Sequence, residues 1–516
     1  MTRGVIPPTL CPMALRGLAV LALAVLATSL GGVEPARAAR PPVVMIVLDE
    51  LPVDSLLGAD GEIDARRFPN FARLASLSTW FPNAQSVYDG TEKAVPALLA
   101  GTNPGPGLGS TWRDHPRSVF TYLGRLGYEM HVREEVTTVC PPRLCRRTRN
   151  YGRPRPNILF GRRERLERTI RTIRRQKRPA FTFHHVALPH VPWSYMPSGR
   201  KRVGGAGGAL PDFGAPPGFG DPYLTLHNEQ RYLLQLGFVD REIGKLLRRM
   251  RRQRLLARSL LVVVADHGVS FGLGVDDRRS VTEANVHEIA PVPLFVKRPG
   301  QTAGVEDRAY VRTTDVLPTI ADILGRPLGE RVDGRSAFSA AVGRRTGVEI
   351  VTRDFSRTIS VPAAEMEIRR ALNVARRVDL FGTGPWRNVF RIGLHVELLG
   401  RRTADLARVP AGRARARFVA PGRRTRYALR GHDVPVWAAG RIRGSSRAGG
   451  RDLAVAVNGR VRAVARSFRL DGKATEWFSA TVPEASLRRG ANRFELFEVR
   501  AGDDDSPVLR PLGETG

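Results

Sequence analysis

Three short stretches carry residue types suited to holding a metal ion and an oxyanion together. The first is Asp49-Glu50, which follows the apolar run Val43-Val44-Met45-Ile46-Val47-Leu48. A carboxylate at the carboxyl end of a buried parallel strand points into the crevice where α/β sheets bind ligands. An Asp there is also a common turn residue. The second is Asp89-Gly90-Thr91, just ahead of a helical stretch in which Val95, Leu98 and Leu99 share a face. A hydroxyl at a helix N-terminus sits beside free N–H groups in a positive field, which suits a bound anion. The same position would make Thr91 an ordinary N-cap. The third is Asp266-His267-Gly268, which follows Val262-Val263-Val264-Ala265. Carboxylate and imidazole side by side at a strand end offer two metal ligands at one point, and burying both without a partner is costly.

The elements that must position these residues can be read from periodicity. Residues 41–48, 181–186, 259–265 and 293–296 are continuously apolar or nearly so, as buried central strands are. Helical stretches fall between them: one after Phe68-Pro69-Asn70-Phe71, one from Thr91, and a long amphipathic one over 230–252. Strands alternating with helices predict an α/β fold with a parallel sheet. Residues 197–222 are Gly- and Pro-rich without periodicity and read as a long surface loop or lid. From about Phe418 the texture changes to short strands at Val434–Trp437, Leu453–Gly459, Ser467–Leu470 and Arg493–Phe497, with Asn458-Gly459 as a hairpin signal. That part reads as a small antiparallel β-sandwich. In it, Trp437 and Trp477 are either core residues or sugar-stacking platforms.

In this order, the stretches resemble the sulfatase-like branch of the alkaline phosphatase superfamily, which holds the sulfatases and the phosphoethanolamine and phosphoglycerol transferases. The resemblance spans about residues 43–336. Besides the three stretches it rests on Leu98-Leu99-Ala100-Gly101, Pro189-His190-Val191-Pro192 and Val292-Pro293-Leu294-Phe295-Val296-Lys297-Arg298-Pro299-Gly300. Thr314-Asp315-Val316-Leu317-Pro318-Thr319-Ile320 and Asp333-Gly334-Arg335-Ser336 complete it. It implies an alkaline phosphatase-like sandwich, with a central, mostly parallel sheet flanked by helices. It also implies that Asp49, Thr91, Asp266 and His267 share one divalent metal (Mn, Zn or Ca), with Thr91 as nucleophile on a phosphate or sulfate ester. His190 and His287 are then candidates to stabilise or protonate the leaving group, and one of His184 and His185 is expected in a packing role.

Sulfatases carry Cys or Ser at the nucleophile position, with Pro two and Arg four residues on, and convert the Cys or Ser to formylglycine. Here those positions are Thr91, Lys93 and Val95. Thr cannot give formylglycine, and an unmodified Thr is the usage of the phosphotransferase and phosphodiesterase relatives. The leading expectation is therefore an enzyme that cleaves or transfers a phosphoester at the cell envelope, on a glycan or lipid. Two other readings stay open: a sulfate-ester hydrolase using unmodified Thr91, and an inactive fold that binds anionic envelope polymer through an Arg-rich surface.

The bulk numbers bound these readings. The 516 residues carry 82 Lys+Arg against 49 Asp+Glu, a formal charge of +33. The excess is spread along the chain, and no zinc-finger, RNP-type or basic-zipper pattern accompanies it, so no nucleic-acid partner is expected. Arg3, the apolar run from Gly17 to about Leu30 and Ala36-Arg37-Ala38 read as a secretory signal over 1–38, or an uncleaved anchor. No later segment is apolar enough to span a bilayer. A secreted or envelope location follows. Cys140 and Cys145, five residues apart, read as a local disulfide in that oxidising setting. The expected organisation is a signal (1–38), a catalytic domain (41–340), a trailing segment and connector (341–417), a β-sandwich (418–500) and a tail (501–516).

Overall fold

The computed structural model describes residues 40–145, 159–202, 220–274, 277–420, 424–428, 431–444, 450–470 and 475–514. The expected signal segment and most of the Gly/Pro-rich stretch lie outside the described residues.

Seven strands form the central sheet: β1 (Val43–Asp49), β2 (Thr79–Phe81), β3 (Glu129–Arg133), β4 (Ala180–Pro189), β5 (Leu260–Ala265), β6 (Leu294–Lys297) and β7 (Val305–Glu306). Their order in space is β3-β4-β1-β5-β6-β2-β7. The run β3-β4-β1-β5 is parallel, whereas β6 is antiparallel to β5 and to β2. Every residue of β1, β4 and β5 is buried, which accounts for their largely apolar sequences, broken in β4 by Thr182, His184 and His185.

Side chains alternate across the sheet, so each face builds its own core. Val44, Ile46, Leu48, Leu261 and Val263 pack on one side with Leu233, Leu236 and Val239 of a long helix, α5 (Pro222–Arg252). Val43, Met45, Val47, Val262 and Val264 pack on the other side. There they meet α2 (Thr91–Ala100), α3 (Val119–Arg125) and α6 (Val316–Ile323). α1 (Pro69–Ala75) lies against α5, and α4 (Arg162–Thr172) against β4 and α5. The fold is thus the expected three-layer sandwich.

α5 begins eight residues before the periodicity suggested. Asp221 caps it, accepting from the Leu224 N–H at 2.8 Å, and Pro222 occupies the first turn. Thr225, His227, Asn228 and Glu229 in its first two turns are all buried, so this part has no polar face for a sequence pattern to register. The Tyr223 hydroxyl donates to the Ser479 carbonyl at 2.8 Å, seating the helix on the C-terminal strands.

Residues 341–417 hold a hairpin (Gly347–Val351 with Thr358–Pro362) and α7 (Ala363–Phe381). Arg370 of α7 pairs with Asp54 at 3.0 Å, and Arg376 and Arg377 pair with Glu229 of α5 at 2.9 and 3.0 Å. From Arg415 onward two mainly antiparallel sheets share a core that includes Trp437, Phe478, Phe494 and Leu496. Trp437 and Trp477 are buried, under the guanidinium groups of Arg202 and Arg441, so core packing wins over an exposed stacking face. Asn458-Gly459 forms the expected tight turn, both residues having positive φ (53° and 76°), between Val457 and Arg460. Ser467–Leu470 is not a strand: Phe468 alone bridges to Trp477. Residues past 501, expected as a tail, add a strand at Pro507–Pro511 along Gly490–Ala501. Cys140 and Cys145 are disulfide-bonded.

Candidate active site

The carboxyl ends of the three adjacent parallel strands β4, β1 and β5 converge on one point. Leu48 is in register with Ala265, so Asp49 ends β1 level with Asp266 after β5. Thr91 opens α2 directly opposite. Its hydroxyl lies 3.4 Å from Asp49 Oδ1 and 3.2 Å from His267 Nε2. Gly90, not Thr91, is the N-cap residue, and no side chain caps the helix. The capping explanation for Thr91 therefore fails: its hydroxyl turns toward the carboxylate and imidazole instead.

The Asp89-Gly90-Thr91 turn is held from two sides. Asp89 accepts from the Val281 N–H at 2.9 Å and from Arg353 Nε at 3.3 Å, and Arg353 also donates to the Asp89 carbonyl at 3.2 Å. Arg353 follows the hairpin strand Gly347–Val351, so the trailing segment reaches the site. After β5, Asp266 Oδ1 accepts from the His267 N–H at 2.7 Å. His267 Nδ1 faces the Gly268 carbonyl at 2.8 Å, which assigns the ring proton to Nδ1 and leaves the Nε2 lone pair toward Thr91. Only glycine fits at 268: a Cβ there would meet the Glu288 carbonyl oxygen at 2.1 Å.

Asp49, Asp266 and His267 are buried, and each offers one ligand atom within 4.8 Å of the others. Burial, then the neighbouring Asp266 and Glu50 carboxylates, push the Asp49 carboxyl well above the usual range. Asp266 Oδ2 is buried with no hydrogen-bond partner. His185 of β4, wholly buried, has no partner on either ring nitrogen, and its Nε2 lies 3.9 Å from Asp49 Oδ2 and 3.8 Å from Asp266 Oδ2. Two crowded carboxylates and idle imidazole nitrogens are the donor set of a divalent cation, and the residues fit one.

A second group, Asp49, Glu50 and His190, has similar spacing. An arginine already fills it. Arg278 donates to Glu50 Oε1 at 2.6 Å and contacts His190 Nε2 at 3.3 Å, with Arg279 3.8 Å from Glu50. Burial works against the Glu50 carboxylate, but Arg278, His190 and their neighbours bring its pKa down to about 2. Glu50 adopts φ 62°, a left-handed turn that swings its side chain from the strand toward Arg278. Burial lowers the His190 pKa to about 4, with Glu50 opposing and Arg278 reinforcing the shift, so its ring is neutral at pH 7. The loop bearing His190 is pinned from below: Arg162 and Gln235 donate to the His190 carbonyl at 2.5 and 2.9 Å.

The structure thus brings together Asp49, Thr91, Asp266, His267 and His190, but not His287. His287 is half-buried beyond β5, and its charged neighbours are Asp54, Arg369, Arg376 and Arg377, none of them in the site. Sequence reasoning missed the placement of His185 and the roles of Arg278 and Arg353. The alternation of β4 was the available signal for the histidines: His184 faces Glu135 at 3.1 Å, so His185 must face the other way.

Comparison with known proteins identifies the family. Residues 41–326, more than half of the chain, match the family model described as Sulfatase. A 114-residue stretch is 29% identical to arylsulfatase K of Bos taurus, covering 21% of this chain and 20% of that protein. Another, of 109 residues, is 36% identical to 2,3-bisphosphoglycerate-independent phosphoglycerate mutase of Thermomicrobium roseum, covering 20% of each. The chain thus matches about a fifth of the length of these curated relatives. Among solved structures, the phosphonate monoester hydrolase of Silicibacter pomeroyi is 18% identical with a TM-score of 0.41, over 60% of this chain and 79% of that one. The chain belongs to the sulfatase family.

Proposed function

We propose that the protein is an exported ester hydrolase or transferase that cleaves a phosphoester, with Thr91 as nucleophile. The observation that carries this is the Thr91 hydroxyl, turned away from helix capping toward Asp49 and His267, beside a buried, partnerless Asp266 oxygen. Asp49, Asp266, His267 and the Thr91 hydroxyl would hold one divalent ion, which when bound supplies Lewis acidity to the hydroxyl and the ester oxygens. A mixed oxygen and nitrogen donor set favours Mn or Zn over Ca.

The residues of the chain do the rest. His267, its ring fixed by the Gly268 carbonyl, would give its Nε2 lone pair to the ion, and Asp49 Oδ1 accepts from the Thr91 hydroxyl and orients it. Thr91 Oγ1 gives its proton to Asp49 Oδ1 and bonds to phosphorus as the bond to the alcohol oxygen breaks in line, and the alcohol oxygen takes up a proton from solvent as it leaves. The first N–H groups of α2 have no intrahelical partners and receive the ester oxygens. Arg278 and Arg279 place positive charge at the mouth, and neutral His190 orients Arg278. A water or glycan hydroxyl then takes the phosphoryl group from Thr91, losing its own proton to solvent as Asp49 returns one to the Thr91 oxygen. Thr at this position supports phosphoester chemistry, because formylglycine cannot form from it. The arylsulfatase relatives supply the sulfate-ester alternative, which the same experiment separates.

The test is purified protein and Thr91→Ala on aryl phosphate, phosphodiester and aryl sulfate, with Mn, Zn or Ca added. Metal-dependent phosphoester turnover that Thr91→Ala abolishes is expected. Preference for the sulfate ester would replace the substrate assignment. Absence of both turnover and retained metal would overturn the enzyme reading.

A further inference from the structure

On the last turns of α5, Lys245, Arg248, Arg249 and Arg252 recur at the spacing that places them on one helical face. Glu167, Ile170 and Arg171 of α4 face them, and together they line a cavity of about 280 Å³. Part of this charge is committed. Lys245 pairs with Glu167 at 2.5 Å and with Glu242 at 2.7 Å. Arg249 donates to the Ile173 and Arg171 carbonyls at 2.8 and 2.9 Å, tying the ends of the two helices together. The rest is not. Arg248 and Arg252 are exposed and have no side-chain partner among the described residues. Arg171 reaches Glu167 only at 3.8 Å, a carboxylate that Lys245 already holds.

Basic residues at helix C-termini ordinarily complement the helix dipole, an effect that fades within one turn. That accounts for a cation or two at each end, not for a stripe starting at Lys245, two turns inside α5. The connecting segments add Arg174, Arg175, Lys177, Arg178, Arg254 and Arg258, all exposed. These segments lead into the first residues of β4 and β5, so the groove lies at the amino edge of the sheet. Asp49, Asp266 and His267 lie at the carboxyl edge. The groove is therefore not an extension of the active-site crevice.

We propose that this groove docks an acidic polysaccharide, a chain carrying sulfate, phosphate or carboxylate groups. A recessed row of spaced cations fits a narrow polyanion. An anionic bilayer would call for apolar side chains beside the charges, and no exposed large hydrophobic residue lines the groove. A single-stranded nucleic acid would call for aromatic platforms, and none lines it either. Docking does not depend on the reading of the active site, since it is measured without turnover.

Fluorescent dextran sulfate is titrated into the full chain by anisotropy at two salt concentrations. Neutral dextran and anionic phospholipid vesicles serve as comparison ligands. One variant combines Arg171→Gln, Arg248→Gln and Arg252→Gln. A second removes the same charge elsewhere, at exposed Arg387, Arg401 and Arg489, each to Gln. The groove variant is expected to bind dextran sulfate at least about tenfold more weakly, with a shallower salt dependence as fewer counterions are released. The second variant should lose less than about twofold, and turnover of a small aryl ester should not change in either. Equal weakening by both variants would overturn the proposal in favour of general charge. Vesicle binding as tight as dextran sulfate binding, lost in the groove variant, would overturn it in favour of a membrane.

Discussion

Neighbouring histidines on one strand end in opposite situations. His184 belongs to a charge-paired cluster: its Nε2 meets Glu135 at 3.1 Å, and Glu135 also accepts from Arg165 at 2.9 Å and from the Ala187 N–H at 3.0 Å, while His184 Nδ1 has no hydrogen-bond partner. His185, one residue on and across the sheet, meets two carboxylates at 3.8 and 3.9 Å and hydrogen-bonds to nothing. Both clusters are buried. In the first, opposite charges neutralise one another and brace β4. In the second, Asp49 and Asp266 repel, and idle donors surround them. A buried cluster whose charges are paired is built for stability, and one in which carboxylates crowd together unpaired is built for something that must arrive.

Perturbing each cluster should give opposite outcomes. The largest effect is expected from His267→Ala, which should cut kcat/KM at least about a thousandfold and abolish metal retention, with little change in melting temperature. Next comes Glu135→Gln. It leaves Arg165 buried beside a neutral partner and should cost about 3 kcal/mol of stability in denaturant titration, while the folded fraction keeps its metal and turnover. Burial pushes the Glu135 carboxyl up, but Arg165 and His184 outweigh it and hold the group well below the ordinary glutamate value of 4.5. Its contribution is therefore complete above that value and is lost as pH falls toward the folded pKa. From about pH 5 to about pH 3 the wild type should lose melting temperature faster than Glu135→Gln.

A smaller effect is expected at His185. His185→Gln should weaken metal binding about tenfold, read by competition with a chelator, without unfolding the protein. Smallest is Asp266→Asn measured without metal. Removing one of two repelling carboxylates while keeping the Oδ1 contacts to Glu50 and His267 should raise stability by about 1 kcal/mol. A loss there would mean that the second cluster is also charge-paired, and the contrast between them would collapse.

The residues at strand ends were legible in the sequence because the physics that places them is local. An unbroken apolar run followed by Asp49 or by Asp266-His267 reads as a buried strand with polar groups at its carboxyl edge, although the sequence alone left Asp49 open as an ordinary turn residue. Thr91 was half legible: its place at a helix start follows from the pattern, but which way its hydroxyl turns depends on Asp49 and His267, far off in the chain. His184 and His185 could be separated by alternation but not assigned, since which face meets Glu135 is set by β3 pairing. Arg278 and Arg353 were not legible, because guanidinium groups are abundant in this chain and only tertiary contact singles these two out. His287 had the right residue type beside the right strand, but it packs toward α7. The first two turns of α5 escaped notice because burial on every side erases the helical period.

The central claim is that Thr91 attacks the ester. It is tested most directly by mixing metal-loaded protein with an activated aryl phosphate, quenching in acid within one turnover and mapping the adduct by peptide mass spectrometry. The account predicts a phosphoryl group on the peptide carrying Thr91, absent from Thr91→Ala and from metal-stripped protein. Sustained turnover by Thr91→Ala, or an adduct on another residue, would contradict it.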